Sequence, residues 1–327
     1  MKKGLLLAVA CGVFTLSFAY PVPSAVLSSV VSSYLKGILY LAEGKYEKAL
    51  EELEEVKKID PDSGHLRLKM AFTLLKLGRR EEAELEFKNA KSLDSDSLEA
   101  SVALILLYAS QKREEELENE YRFFLEKAHQ LRPENIKVSE YLGQFYFYKK
   151  MPREAVKIYE TIISQKPDYA EGYFWLGYFC EETGKREKAI AMWKKTLELN
   201  ATHANALNSL GYLYAESGRH LDEAETMIKK ALEEDPNNGA YLDSLGWVYY
   251  KKKEYKKAEE YLLKALQYIK EPEIYEHVGD LYIKLQDKEK ALSYYKEGLK
   301  LEPGNETLKQ KVADYEGQST ETEETSK

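Results

Sequence analysis

Five histidines, two cysteines and a pair of Ser-x-x-Lys tetrads are the residues best equipped for chemistry in this chain, yet their spacing withholds it. His65, His129, His203, His220 and His277 stand far apart, with no two placed three or four positions apart to share a metal from one helix face. Ser33 to Lys36 and Ser293 to Lys296 lack the partner motifs that make such a serine an acyl-transfer nucleophile, and both lie inside helical stretches. Asp60 to Gly64 has the opening of a calcium loop, but Ala71 stands where the bidentate glutamate is required. Cys180 sits in an apolar column and reads as a small hydrophobe. No Walker loop, G-x-G-x-x-G, G-x-S-x-G, H-E-x-x-H or C-x-x-C occurs. No catalytic residue, metal or cofactor is expected, and attention moves from turnover to contact.

The elements that would present a contact surface are written as a repeat. Ala49, Ala83, Ala155, Ala189, Ala224, Ala258 and Ala291 recur at near-constant spacing, and units begin at Val30, Gly64, Leu98, Ile136, Ala170, Ala204, Gly239 and Pro272. A period near 34 residues is the signature of a solenoid. The eighth position reads Gly37, Ala71, Ile105, Gly143, Gly177, Gly211, Gly246 and Gly279; three positions on, tyrosine dominates, as at Tyr108, Tyr146, Tyr249 and Tyr282. Bulky residues follow near position 24, including Phe87, Tyr159, Trp193 and Tyr295, and Pro61, Pro133, Pro167, Pro236 and Pro303 close most units. Each unit therefore reads helix A, turn, helix B, stop. Glycine within a helix costs about 0.5–1 kcal/mol, so a column of it implies close helix approach, expected here against the alanine column. Repeat three departs, with Leu117 or Tyr121 where alanine belongs and four extra residues within Gln111 to Tyr121, and is expected to bend or break the stack. One further residue is inserted near His220.

At these columns the chain resembles the tetratricopeptide repeat family, whose W-x2-L-G-x2-Y, A-x3-F and P pattern is met by Tyr173-Leu176-Gly177 and by Leu242-Leu245-Gly246-Tyr249-Ala258-Leu262. The segment Tyr241 to Val248 further resembles exported bacterial members. The resemblance implies an all-α, right-handed superhelical solenoid of about eight repeats over residues 30–316. It is closed by a capping helix over Glu306 to Tyr315, where Leu308, Val312 and Tyr315 recur at helical spacing. It also implies that one stripe of helix A lines a concave groove. Phe147, Phe174, Tyr178, Asn205, Asn208, Tyr212, Asp243, Trp247 and Tyr250 fall on that stripe and are the expected ligand-binding residues. Aromatic rings supply large contact area at low entropic cost, and side-chain amides pair with a ligand backbone. Repeats one to three carry Tyr34, Ile38, Leu41, Leu68, Phe72 and Leu75 there instead, a more apolar lining. Acidic groups towards the other end, Asp243, Glu273, Glu276 and Asp280, favour a basic guest.

Lys2 and Lys3 precede an apolar run from Leu5 to Phe18, and Ser17-Phe18-Ala19 offers a cleavage site, so residues 1–19 are expected to be a signal peptide. The alternatives are an uncleaved anchor or lipidation at Cys11. Residues 20–29 are expected as linker and 317–327 as a disordered acidic tail. A formal net charge of −8 argues against a nucleic-acid surface or a polybasic membrane patch. Together these features predict a non-catalytic, exported, periplasmic scaffold or assembly factor of the bacterial envelope that grips a protein or peptide segment. The alternative is a membrane-anchored or lipidated structural subunit working through its convex face.

Overall fold

The structure, a computed structural model, describes residues 24–324, so the expected signal peptide, with Cys11 and Tyr20, lies outside the described residues. Seventeen α-helices and no strand occur among them. The described helices fall into two compact units divided between Tyr148 and Lys149, inside repeat four rather than at the irregular repeat three. Unit 1 holds α1 (Ser24–Ala42), α2 (Tyr46–Ile59), α3 (Gly64–Lys76), α4 (Arg80–Leu93), α5 (Glu99–Gln111), α6 (Glu114–Leu131) and α7 (Ile136–Tyr148). Unit 2 holds α8 (Pro152–Gln165), α9 (Ala170–Glu182), α10 (Arg186–Leu199), α11 (Ala204–Glu216), α12 (Leu221–Glu234), α13 (Gly239–Lys251), α14 (Tyr255–Tyr268), α15 (Pro272–Lys284), α16 (Lys288–Leu301) and α17 (Glu306–Glu324).

Within each unit the A and B helices of a repeat form a tight hairpin, and each B helix also packs on the next A helix. Side-chain caps start several helices: Ser63 accepts from the Leu66 amide at 3.3 Å, Asn238 from Ala240 and Tyr241, and Asp287 from Lys290. The prolines Pro61, Pro167 and Pro236 stand in the turns just beyond α2, α8 and α12, where a missing N–H costs nothing. The glycine column does not chiefly face alanine, as the sequence suggested. It receives the bulky position-24 side chain of its own hairpin: a Cβ on Gly177 would lie 2.5 Å from the Trp193 indole, and one on Gly279 would lie 2.2 Å from the Tyr295 ring. The alanines are themselves wholly buried, so the largest B-helix residue fits because the A helix offers it bare backbone.

The position-11 tyrosines do more than fill grooves. The hydroxyls of Tyr108, Tyr249 and Tyr282 donate to Glu84, Glu225 and Glu259 on the preceding B helix at 3.1, 2.9 and 2.7 Å, and Tyr146 reaches Glu126 at 3.0 Å. Each ring is buried while its phenol is satisfied by the repeat before it. Around Glu84, burial pushes the carboxyl up, but Arg113, Lys88 and Tyr108 outweigh it and hold it down at about 2. Glu225 is held at about 2 in the same way by Lys229, Lys252 and Tyr249.

Three local expectations are corrected. The four extra residues of repeat three do not break the stack: they lengthen α6 to 18 residues against 14 in the other B helices of unit 1. Four residues are close to one helical turn, so the buried face keeps its phase. The segment 24–29, expected as linker, belongs to α1, whose valines and leucines continue the helical pattern. Residues 317–324, expected as disordered tail, continue α17, which no proline interrupts. Leu308 seals the last repeat, fully buried, and Tyr315 stacks on Tyr295 at 6.1 Å. Among the described residues no helix is long and apolar enough to cross a membrane.

Candidate functional site: the inner groove of unit 2

The A helices α9, α11, α13 and α15 lie side by side in unit 2 and turn one face into a groove lined by two cavities. One, of about 230 Å³, is bounded by Tyr178, Asn208, Tyr212, Leu213, Asp243 and Ile274 among others. The second, of about 530 Å³, is bounded by Tyr212, Trp247 and His277 and by the carboxylates of Glu216, Glu271, Glu273, Glu276, Asp280 and Glu302. A groove with so many carboxylates and few cations carries a strongly negative potential.

Its floor is a buried stack. Trp247 lies between the Tyr250 ring (4.5 Å, 3°) and the His277 imidazole (4.0 Å, 16°), and its indole N–H donates to Glu216. His277 is 5% exposed and its Nδ1 lies 3.0 Å from both Asp243 oxygens, with Asp243 itself 6% exposed. Burial alone would push the imidazole down, but Asp243, with Glu273 and Asp280 beyond, outweighs it and holds His277 above its ordinary value. An Asp–His pair is two thirds of an acyl-transfer triad, yet the group facing Nε2 is the Glu273 carboxylate at 4.0 Å, which accepts a proton rather than attacks a carbonyl. The pair is thus suited to fixing the floor. Burial, reinforced by Asp280, pushes the Tyr250 phenol up to about 12. Over this floor the Tyr212 hydroxyl donates to Glu273 at 2.6 Å, joining α11 to α15 past the intervening α13. Burial first, then Glu273, holds that phenol above the usual tyrosine range. Two cations of the chain meet these carboxylates: Lys311 of α17, with Nζ 2.8 Å from Glu276 and 2.5 Å from Asp280, and Lys251 of α13, 3.5 Å from Glu216 and over the Trp247 ring.

The nine residues expected to line one groove are sorted differently by the structure. Phe147 lies in unit 1, packed edge-on to Tyr148, whereas the other eight lie in unit 2. Phe174, Asp243 and Trp247 are buried, each less than a tenth exposed, and serve as floor rather than as free anchors. Phe174 packs on Trp175 and on His203 at 4.9 Å, since the next A helix presses against it. Asn205 is exposed and accepts from Tyr241 at 2.5 Å. Tyr178, Asn208 and Tyr212 are brought together on the smaller cavity, and Tyr250 supports Trp247 from behind. Sequence reasoning passed over His277, Glu216, Glu302 and Lys311. The signal available was spacing: Asp243 and His277 stand 34 residues apart, one repeat, which places them opposite each other on adjacent A helices. Cys180 is fully buried and burial pushes its thiol up, consistent with a small hydrophobe. Among the described residues no three His, Cys, Asp or Glu side chains converge to hold a metal.

Stacked helical hairpins whose A helices expose a ligand-sized groove define a helical-repeat solenoid. The chain belongs to the tetratricopeptide repeat family, whose profiles match residues 40–104, 181–239 and 212–327. Among solved structures it is similar to the pilus biogenesis factor PilW (20% identity, TM-score 0.50, covering 65% of this chain and 99% of that one). It is also similar to the Cut9–Hcn1 complex of the APC/C (16% identity, TM-score 0.56, covering 83% and 52%). At these identities the likeness is one of fold. A curated relative, the BBSome complex member bbs-4 of Caenorhabditis elegans, is 29% identical over 103 residues, 29% of this chain and 22% of that protein. The chain thus spans about a fifth of the length of the curated relatives it matches.

Proposed function

We propose that this protein is a non-catalytic interaction scaffold whose unit 2 groove holds an extended, basic segment of a partner protein. The observation that carries the reading is the groove wall itself: six carboxylates, from Glu216 to Glu302, above an aromatic floor. Carboxylates set around a cavity attract lysine and arginine and repel acidic segments, which gives both steering and specificity. The reading is also supported by the family, which supplies a rigid curved frame for such contacts, although function on a shared fold is argued from the site. We further infer export to the bacterial envelope and a role in assembly there, supported by Lys2, Lys3 and the apolar run from Leu5 to Phe18.

The test is capture. Photo-cross-linkers at Tyr178 and Glu273 in the full chain are expected to trap a partner through a Lys- or Arg-rich segment, and Glu216→Gln with Glu276→Gln is expected to abolish the trapping while helical content is kept. Unchanged trapping by the double variant would remove the groove from the function. Mass spectrometry of the mature N-terminus, read with cell fractionation, checks export separately: a chain beginning at Tyr20 in the envelope fraction supports it, and an intact N-terminus in the cytoplasmic fraction overturns it.

A further inference from the structure

Unit 1 leaves an apolar track uncovered on its A helices. Leu35 and Ile38 of α1, Phe72 of α3, and Val102 and Leu106 of α5 lie along it, and all but the half-buried Ile38 are exposed. Ile38, Phe72 and Leu106 stand 34 residues apart, at the same position of three successive repeats. Beside them Tyr34, Leu41 and Leu75 close onto one shared core, so the three helices present a continuous face. A single exposed leucine is ordinary, whereas a row of large apolar residues at one repeat position marks a contact surface.

The middle rung, α3, sets the charge. Along the stripe it reads His65, Lys69, Phe72 and Lys76, spaced four, three and four residues apart, and the helix has no acidic residue. Neither Lys69 nor Lys76 forms an ion pair among the described residues, whereas Lys57, Lys91 and Arg113 of the same unit all do. Burial first, then Lys69, outweigh Glu99 and hold His65 below its ordinary value, so the field along α3 is positive.

The form of the guest follows from what the stripe lacks. Positions 5 and 9 of α1, α3 and α5 hold Tyr34, Ile38, Leu68, Phe72, Val102 and Leu106, with one hydroxyl among six side chains. An extended segment laid there would find nothing to pair with its N–H and C=O groups, whereas a helix pairs its own. Successive rungs are roughly 10 Å apart and a helix rises about 1.5 Å per residue, so a helix crossing all three meets a rung about every seven residues. Lys69 and Lys76 stand on opposite sides of Phe72 along α3, one for each flank of such a helix at its middle anchor.

We propose that unit 1 docks an amphipathic, acidic helix of a partner protein. Apolar anchors about seven residues apart sit on the Ile38, Phe72 and Leu106 rungs, and carboxylates flanking the middle anchor meet Lys69 and Lys76. This is a second site, opposite in charge preference to the unit 2 groove, and it stands without that groove.

The experiment uses fluorescence anisotropy on the full chain with a labelled Ala/Gln helix carrying three Leu seven residues apart and Glu on both flanks of the middle one. Beside it are a Lys-for-Glu version, a version with the Leu five residues apart, and one broken by a central proline. The Glu-flanked helix is expected to bind at least tenfold more tightly than each of the other three. Leu106→Ala is expected to weaken it at least fivefold with helical content kept. Lys69→Glu with Lys76→Glu is expected to exchange the preference, so that the Lys-flanked helix binds more tightly, and Glu276→Gln in unit 2 is expected to change nothing. Equal binding of the Glu- and Lys-flanked helices, undiminished binding of the proline version, or indifference to Leu106→Ala would each overturn the proposal. Two other occupants would do the same. A dimer in sedimentation that Leu106→Ala dissolves would assign the stripe to a second copy, and loss of peptide binding in a chain beginning at Met1 relative to one beginning at Tyr20 would assign it to residues 1–19.

Discussion

The inner stripe of unit 1 and that of unit 2 occupy the same positions of the same repeat and yet present opposite surfaces. At positions 5 and 9 of the A helix, α5 of unit 1 carries Val102 and Leu106, 42% and 66% exposed, and α3 carries Leu68 and Phe72, the latter 45% exposed, while its last A helix, α7, turns polar with Glu140 and Gln144. In unit 2 the same positions hold Asn208 and Tyr212, Asp243 and Trp247, then Glu276 and Asp280, joined by hydrogen bonds, ring stacking and ion pairs. The packing columns of glycine, alanine and tyrosine are shared by both. A repeat frame that closes its core with a few fixed columns leaves its inner columns free to take any chemistry, so those columns carry the difference in what each unit can touch. Unit 1 carries ion pairs between B helices, where Glu86 receives Lys57 at 3.2 Å and Glu120 receives Lys91 at 2.9 Å, and Arg67 of α3 joins Glu86 at 2.9 Å.

The sharpest way to break the comparison is to remove one buried acid from each unit. Asp243→Ala leaves His277 as an uncompensated group in the floor and is expected to cost about 3–5 kcal/mol, against about 1 kcal/mol for Glu120→Ala, whose partner Lys91 swings out to water. Native-state hydrogen exchange on α13 and α15, compared with α4 and α6, reads the two costs separately; equal losses would mean that the floor of unit 2 is no more committed than the ion pairs of unit 1.

The glycine column gives the next effect. Gly279→Ala forces a methyl against the Tyr295 ring, which is fully buried and tied to Asp280 at 2.7 Å, so a loss of about 1–3 kcal/mol is expected in urea unfolding. In unit 1 the same column holds Ala71, and Ala71→Gly is expected to cost about 1 kcal/mol through backbone entropy alone. A neutral Gly279→Ala would show that the hairpin yields more readily than its contacts suggest.

Acid and alkali should separate the units further. Glu84 in unit 1 and Glu225 in unit 2 both sit at about 2, below the unfolded value, so the stability each contributes is present above about 4.3 and is lost as pH falls towards 2 in both units. His277 is raised, so its contribution is complete below about 6.5 and is lost as pH rises through its folded value, in unit 2 alone. Melting followed from pH 6 to 10 is expected to show an alkaline decline in α13 and α15 exchange that His277→Gln removes. A decline of equal size in unit 1 would assign it to other groups.

The smallest effect lies in the A–B turns. In both units some of these turns place glycine at positive φ, as at Gly44, Gly78, Gly184 and Gly218, and others place a side chain there, as at Lys112 in unit 1 (56°) and Lys253 in unit 2 (63°). Lys253→Gly is expected to raise unit 2 stability by up to about 1 kcal/mol, measured as a shift in urea midpoint.

Much of the fold was legible because a 34-residue period forces every copy to solve one packing problem, and the starts of α3, α7, α9, α11, α13 and α15 fall on the residues from which the repeats were counted. What was not legible was depth. Trp247 and Phe174 lie on the expected stripe but are roofed by residues about one repeat away, His277 and His203, and a single-helix reading cannot see a neighbour that distant. The division at Tyr148 likewise has no marker in composition, and the turn added to α6, which drew attention to repeat three, proved harmless to its packing.

The direction of the tyrosine bonds sets an order of events on the ribosome. For the position-11 tyrosines Tyr108, Tyr146, Tyr249 and Tyr282, the phenol belongs to the later repeat and its carboxylate to the earlier one, so a hairpin leaving the exit tunnel meets an acceptor that has already been made. Locking from the first-made end forward lets the nascent chain bury its aromatic surface in step with synthesis, and shortens the time in which that surface is open to strangers.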